Sequence, residues 1–277
     1  MMQGKTIVIT GATSGIGEVA AIRLAQQGAR IVFTARDRRR ADDTLAKLND
    51  ANPGADHAMH LADLSRLSEM KRVAAELARE PRIDVLVNNA GALFNRRQET
   101  EDGLEMTFAL NHMAYFVITN ILLPKLQPGA RIVSVASGAH RSAKLDFNDL
   151  QSCRRFQGFT VYSTSKLCNI LFIRELARRA PAGVTANCLH PGFVATRFGD
   201  GSGGLMRALF KIAKPVGAIS PQEGAKTIIY LASSPDIAGV SGEYFYECKP
   251  ATPSRAARND ADARRLWEIS EAIAGFN

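Results

Sequence analysis

Tyr162 and Lys166 stand four residues apart in the run YSTSK, and on a helix that spacing puts both side chains on one face. A phenol with a reference pKa of about 10 transfers protons poorly near neutral pH unless a nearby positive charge stabilises its anion, and an ammonium four residues on can supply that charge. Chance produces the same pair often, so its weight comes from what accompanies it. Near the N-terminus the apolar run KTIVIT opens into GATSGIG, a turn of G-x-x-x-G-x-G spacing. Glycines there let a diphosphate approach bare backbone at a helix N-terminus, where free N–H groups and the positive dipole end attract an anion. Gly11, Thr13, Ser14, Gly15, Ile16 and Gly17 are its candidate contacts, and a plain tight turn between strand and helix is the other reading.

A third residue sharpens the chemistry. Dinucleotide sites selective for NAD place an acidic side chain at the end of the second strand to hold the ribose 2′-hydroxyl, whereas here ARIVFTARD offers Ala35 and then Arg36. A guanidinium attracts a 2′-phosphate through charge-assisted hydrogen bonds, so Arg36 reads as a selector for NADP, with Arg38 as a second contact. An exposed arginine with no ligand is the competing reading, and the adjoining Asp37 counts on that side.

The elements that position these residues follow from periodicity. Short β-branched runs bounded by turn residues occur at 6–10, 30–34, 57–61, 83–88, 131–135 and 184–190. Segments with helical apolar spacing lie between them at 18–27, 67–78, 103–123 and 163–179. Strands alternating with helices predict an α/β fold: one domain over 1–277, a doubly wound, Rossmann-type parallel sheet with helices on both faces. The glycine-rich stretch 199–204, leading into LMRALFKIAKPVG, breaks the rhythm. Residues 199–217 read as a small substrate lid, with a core helix and a membrane-surface helix as the other readings. A C-terminal strand and helix are expected over 241–277.

Read together and in order, TGATSGIG at 10–17, NNAG at 88–91, Asn111, SVAS at 134–137, YSTSK at 162–166 and HPG at 190–192 resemble the short-chain dehydrogenase/reductase family. The runs GLEMTFALNHMAYFVITNILLPKL from Gly103, KLCNILFIRELARR from Lys166 and SGEYFYECKPATPSRAARNDADARRLWEIS from Ser241 are similar to its retinol-dehydrogenase-like branch, and the likeness spans essentially the whole chain. The resemblance implies that Asn111, Ser137, Tyr162 and Lys166 form a catalytic tetrad. Tyr162 would exchange the proton with substrate oxygen while Ser137 holds that oxygen. Lys166 would bind the nicotinamide ribose and lower the tyrosine pKa, and Asn111 would hold a water of a proton relay. The same resemblance gives Asp63 and Leu64 to the adenine, Asn88, Asn89, Ala90 and Gly91 to the adjoining ribose and sheet, and Pro191, Gly192, Val194 and Thr196 to the carboxamide and diphosphate, with Phe193 near the substrate entrance.

Composition narrows the classes. A net charge of +8 invites nucleic acid or an anionic surface, yet the basic residues are interspersed with acids rather than gathered in one stripe, so no nucleic-acid partner is expected. Cys153, Cys168, Cys188 and Cys248 form no C-x-x-C or zinc spacing and read as reduced thiols. The five histidines include no H-E-x-x-H pair, so no metal site is expected. Met1 to Lys5 lacks the charged start and apolar core of a leader, and no apolar run is read as reaching the roughly 20 residues of a spanning helix, which makes a cytoplasmic protein without an integral membrane segment the expectation. The function expected is NADP(H)-dependent hydride transfer to or from an apolar carbonyl or alcohol. The alternative is a catalytically silent NADP(H)-sensing regulator, and a homo-oligomer is compatible with either. The substrate pocket falls to the lid and the loop 93–101, the parts least constrained by resemblance.

Overall fold

The computed structural model describes residues 2–194 and 219–276. β1 (Thr6–Thr10, TIVIT) is buried along its whole length, which is why it carries β-branched residues at nearly every position instead of an apolar and polar alternation. α1 (Gly15–Gln26), β2 (Arg30–Ala35), α2 (Arg38–Ala51), β3 (Ala58–Leu61), α3 (Leu67–Leu77) and β4 (Val85–Asn88) follow. The next helical stretch is broken into α4 (Met106–Phe108), a π turn (Ala109–Met113), α5 (Ala114–Leu122) and a 3-10 turn (Leu123–Lys125). After it come β5 (Arg131–Val135), a 3-10 turn (Gly138–Ser142), α6 (Gly158–Arg179) and β6 (Thr185–Leu189). α7 (Pro221–Ser233), β7 (Tyr244–Tyr246), β8 (Lys249–Pro250) and α8 (Asp260–Ala274) complete the described chain.

The strands form one sheet in the order β3-β2-β1-β4-β5-β6-β7-β8, parallel up to β7 and closed by an antiparallel β8. Chain progression reverses between β1 and β4, and a doubly wound sheet leaves its ligand crevice at that reversal, outside the carboxyl ends of the strands. Register aligns those ends: Thr10 pairs with Thr34, Asn88 with Ser134, and Val135 with Leu189. The glycine turn, Arg36, Asn89, Ser137 and His190 all follow closely on that edge.

Two apolar layers sandwich the sheet, because alternate residues of each strand point to opposite faces. Val8, Leu86 and Ile132 face α3, α5, α6 and α8, where Phe116 and Phe172 pack on Trp267 at ring distances of 4.9 and 5.8 Å. Ile7, Ile9, Val87 and Val133 face α1, α2 and α7, through Leu24, Leu48, Ile228 and Leu231.

Several elements differ from the sequence expectation. α2, RRRADDTLAKLNDA, carries too few apolar residues to stand out and buries only Ala41, Thr44 and Leu48; α7, PQEGAKTIIYLAS, is a further helix beyond the expected ones, burying Ala225, Ile228, Leu231 and Ala232. α6 begins at Gly158 rather than near 163, because Phe159, Thr160 and Val161 continue the helix back toward the loop that precedes it. The expected unbroken helix over 103–123 contains the π turn instead. Contrary to the expectation that no apolar run reaches spanning length, Met106–Lys125 has the length and composition to cross a membrane, but 72% of an apolar 18-residue stretch within it is buried inside the fold, the pattern of a core helix. The expected lid at 199–217 and Thr196 lie outside the described residues.

Candidate active site

The turn after β1 is locked to the segment after β4 by one hydroxyl. Thr10 Oγ1 accepts hydrogen bonds from the backbone N–H groups of Asn89 and Ala90 at 2.9 and 3.1 Å. The Asn89 amide donates in return to the Thr10 and Gly11 carbonyls at 3.0 and 2.9 Å. Gly17 is buried against this knot, and a Cβ there would collide with the Asn89 amide nitrogen and the Gly11 carbonyl oxygen. Gly11, at φ +68°, would bring a Cβ to 2.8 Å from the Ala90 Cα. Both positions therefore require glycine, and the first turn of α1 stays open to an anion; Ser14, exposed at its N-cap, makes no side-chain capping bond. Thr13, Gly15 and Ile16 are half-buried around it.

At the end of β2 the two neighbours Arg36 and Asp37 have different tasks. Asp37 is the N-cap of α2 and accepts from the Arg40 N–H at 2.9 Å, so its carboxylate serves the helix. Arg36 is exposed and has no hydrogen bond or ion pair among the described residues. Arg38 sits in a loose pair with Asp42 at 3.9 Å, exposed on both sides. After β3, Asp63 Oδ1 accepts from Ser65 N–H and Oγ at 3.1 and 2.8 Å, an Asx turn that fixes the carboxylate beside the buried Leu64.

The four remaining candidates converge beyond β4 and β5. Ser137 lies two residues beyond the end of β5, and its hydroxyl accepts from the Ala139 N–H at 3.2 Å and shares a hydrogen bond with the Tyr162 hydroxyl. Tyr162 and Lys166 lie one helical turn apart on α6, as their spacing predicts, with the Lys166 nitrogen 5.7 Å from the Tyr162 ring centre. That nitrogen donates to the Val135 carbonyl at 3.0 Å. Asn111 stands in the π turn, a geometry that inserts one extra residue and turns a side chain out of the regular helical row. Its Oδ1 accepts from Ala92 N–H at 2.8 Å, and its amide donates to the Ala92 carbonyl and to Ser165 Oγ at 2.9 and 3.0 Å. Gly91 joins the group: a Cβ there would stand 3.1 Å from Asn111 Oδ1 and 3.4 Å from Lys166 Nζ.

Burial sets the electrostatics. It pushes the Tyr162 phenol up to about 12, against a smaller opposing effect of the Ser137 hydrogen bond. It pushes the Lys166 amine down to about 7. The protein's own environment therefore favours a protonated phenol, the reverse of what a fully charged lysine beside the hydroxyl would produce. The Asn111 amide has both hydrogens committed to Ala92 and Ser165, which leaves only oxygen lone pairs for a water.

At the far side of the crevice, Gly192 N–H donates to His190 Nδ1 at 3.0 Å, and Val194 pairs with Ile219 in an isolated parallel bridge. Pro191 and Val194 are half-buried. Val194 and Ile16 both press on Gly224 of α7, where a Cβ would meet them at 2.7 and 2.8 Å, so the segment after β6, the glycine turn and α7 meet at one point. Phe193 is 44% exposed, and Phe159, one turn before Tyr162, is 46% exposed with its ring 6.4 Å from the tyrosine's.

Thr10, Ser165, Val135, Asn169 and Tyr115 contribute beyond the residues that the sequence points to. Thr10 was read only as part of a motif, yet it ties the glycine turn to Asn89 and Ala90. Ser165 lies inside YSTSK and links Asn111 to the Tyr162 carbonyl, to which it donates at 2.7 Å. The Val135 carbonyl receives Lys166, Asn169 and, at 3.5 Å, the Tyr115 hydroxyl. No sequence signal could reveal these last bonds, since they join residues 20 to 34 positions apart.

Comparison with known proteins gives a family model, curated relatives and solved structures of similar fold. A family model described as short chain dehydrogenase matches residues 5–202. The mouse protein "Retinol dehydrogenase 14" is 43% identical over 292 residues, covering all of this chain and 87% of its own length. Human "Retinol dehydrogenase 13" is 37% identical, covering 99% of this chain and 85% of its own. Among solved structures, an uncharacterized protein from Mycobacterium Paratuberculosis is 30% identical with a TM-score of 0.78, over 99% of this chain and 94% of the other. A short chain dehydrogenase from Burkholderia cenocepacia J2315, solved in complex with NADP, is 25% identical with a TM-score of 0.71, over 93% and 99%.

Proposed function

We propose an activity for a chain that belongs to the short-chain dehydrogenase/reductase family: NADP(H)-linked hydride transfer between nicotinamide and the carbonyl or alcohol carbon of an apolar aldehyde, ketone or alcohol. The observation that carries it is the hydrogen-bonded pair of hydroxyls, Ser137 and Tyr162, standing at the carboxyl edge of the sheet with Lys166 and Asn111 behind them. A substrate oxygen placed against both hydroxyls would be held by Ser137 and receive its proton from Tyr162. A phenol held up near 12 is protonated at neutral pH, the form that carbonyl reduction requires at the start.

The residues present fit a dinucleotide. The glycine turn and the first turn of α1 form a cradle that a Cβ at Gly11 or Gly17 would fill. Gly15, with Thr13, Ser14 and Ile16, completes the turn, and Asn89, Ala90 and Gly91 wall it. Leu64 and Asp63 flank the adenine end, and Pro191, Gly192 and Val194 the nicotinamide end. Arg36 is exposed and unpartnered among the described residues while Asp37 is engaged as a cap, so its guanidinium would be free to receive a 2′-phosphate, and this supports NADP over NAD. Bound nicotinamide supplies or accepts the hydride. Lys166 would orient the adjoining ribose hydroxyls through the hydrogens that it does not give to the Val135 carbonyl.

An apolar substrate is supported by the exposed ring of Phe159 beside Tyr162, by the exposed Phe193 after β6, and by relatives named for retinol. The test is consumption of NADPH, with NADH in parallel, across nonanal, all-trans-retinal and polar aldehydes. The reading expects turnover with NADPH and apolar carbonyls; tight NADPH binding with no turnover on the panel would overturn it in favour of a silent nucleotide sensor.

A further inference from the structure

Between β5 and α6, the 3-10 turn Gly138–Ser142 carries a fully buried histidine, His140, three residues after Ser137. Its Nδ1 lies 2.7 Å from the Ser137 carbonyl oxygen, and its Nε2 lies 3.1 Å from the backbone nitrogen of Ser254. A carbonyl only accepts and a backbone N–H only donates, so these partners admit one arrangement: Nδ1 protonated, Nε2 bare, the ring neutral. The ring packs edge-on against Tyr244 of β7 at 5.2 Å.

Ser254 belongs to the segment that carries the chain from β8 to α8. That segment is laid on the 3-10 turn and on β7: Arg141 donates to the Thr252 carbonyl at 2.9 Å, and Ala251 N–H to the Tyr244 carbonyl at 2.8 Å. Beyond Ser254, α8 returns to α6, the helix of Tyr162 and Lys166, through the Arg174 and Asp260 pair at 2.8 Å and the stacking of Trp267 on Phe172. The C-terminal segment therefore spans the two elements that carry the hydroxyl pair, and His140 is its attachment on the serine side. The His190 ring lies 3.5 Å from where a Cβ on Gly138 would stand, an ordinary contact distance.

We propose that His140 is a positioning residue, coupling the seating of the C-terminal segment at Ser254 to the orientation of Ser137 toward Tyr162. The proposal rests on the reading of Ser137 as the residue that holds the substrate oxygen. It requires both bonds of the imidazole, and two conservative replacements separate them. His140→Asn keeps a donor near the Nδ1 position and loses the reach to Ser254. His140→Gln puts an amide oxygen near the Nε2 position and loses the bond to Ser137. Ser254→Pro deletes the N–H donor and leaves the histidine intact.

The experiment measures kcat and KM for nonanal reduction by NADPH, and NADPH affinity by cofactor fluorescence, in the full chain and in these three variants. The expected result is a loss in kcat of about tenfold in each, with NADPH Kd and nonanal KM within about twofold of wild type, and a His140→Asn/Ser254→Pro double variant no worse than either single one. Unchanged kcat in His140→Asn and Ser254→Pro would overturn the coupling, as would loss of NADPH binding in step with kcat in all three, which marks general disruption. Tyr162→Phe is measured beside them. If it retains turnover, the reading of the site fails; if it is silent while the other variants work normally, the coupling alone fails.

Discussion

The Lys166 amine donates its hydrogen bond to the Val135 carbonyl at 3.0 Å, deep in the protein and away from any carboxylate partner among the described residues. Desolvation outweighs that single bond and lowers the amine to about 7. A buried amine of this kind is kept at a cost to the fold, and the cost has a definite pH dependence. With the folded pKa below the ordinary lysine value of 10.5, the unfolded chain binds more protons between about pH 7 and 10.5, so this group's contribution to stability rises with pH through that window and its penalty is full below it.

Lys166→Met should therefore stabilise the protein at pH 6 by about 2–4 kcal/mol, an isosteric apolar chain replacing a desolvated amine, while turnover falls by orders of magnitude. Denaturant unfolding at pH 6 and pH 10 checks this: the gain should shrink at the higher pH, and an equal gain at both would contradict the assignment.

Tyr162→Phe removes one hydroxyl from a buried site and leaves the ring packing intact. Turnover should drop by about a thousandfold or more with NADPH affinity within about twofold of wild type, because the hydroxyl acts on the substrate oxygen and not on the cofactor cradle. Stopped-flow hydride transfer with titration of NADPH fluorescence separates the two effects.

Arg36 and Asp37 are adjacent but should respond differently. Arg36→Ala should weaken NADPH by about 10- to 100-fold, the 1.5–3 kcal/mol of a charge-assisted bond, with NADH nearly unaffected. Asp37→Ala should cost about 1 kcal/mol of stability through the lost N-cap and leave the NADPH to NADH preference unchanged. Parallel Kd measurements for both cofactors with thermal unfolding decide the matter, and a shift in preference for Asp37→Ala would contradict its assignment to the helix.

Acid should unfold this protein steeply. Burial lowers His57 and His140, takes His190 to about 4, and takes His112, whose Nε2 meets Ser270 Oγ at 2.8 Å inside a cluster of phenylalanine rings, to about 3. Folded pKa values below the reference of 6.5 mean that the unfolded state takes up protons first as pH falls. Stability contributed by these neutral rings is complete above about pH 6.5 and is lost toward pH 4, by about 1.4 kcal/mol per pH unit for each fully shifted histidine. His112→Leu should flatten the slope of unfolding free energy against pH between 6 and 4; an unaltered slope would show that this ring does not titrate on unfolding.

Much of the architecture was legible along the chain because it is written in neighbours. Alternation of β-branched runs with helical apolar spacing is local, and so is the four-residue interval that puts Tyr162 and Lys166 on one face of α6. The glycine turn after β1 was equally plain as a pattern, although the contacts that require Gly11 and Gly17 come from Ala90 and Asn89 just beyond β4. What the sequence did not determine depends on register and burial. Only the pairing of β1, β4 and β5 brings Thr10 under Asn89 and sets Ser137 against Tyr162. Only the packed helix shows the π turn that presents Asn111 to Ala92 and Ser165. Only α2's N-terminus shows that Asp37 is a cap, while Arg36 beside it is exposed and without an ion pair among the described residues. His140 reaches Ser254 across 114 positions, a distance over which no periodicity carries information. The charge state of the lysine and the phenol was decided last of all, by the exclusion of water from a site that exists only once the helices have closed over the sheet.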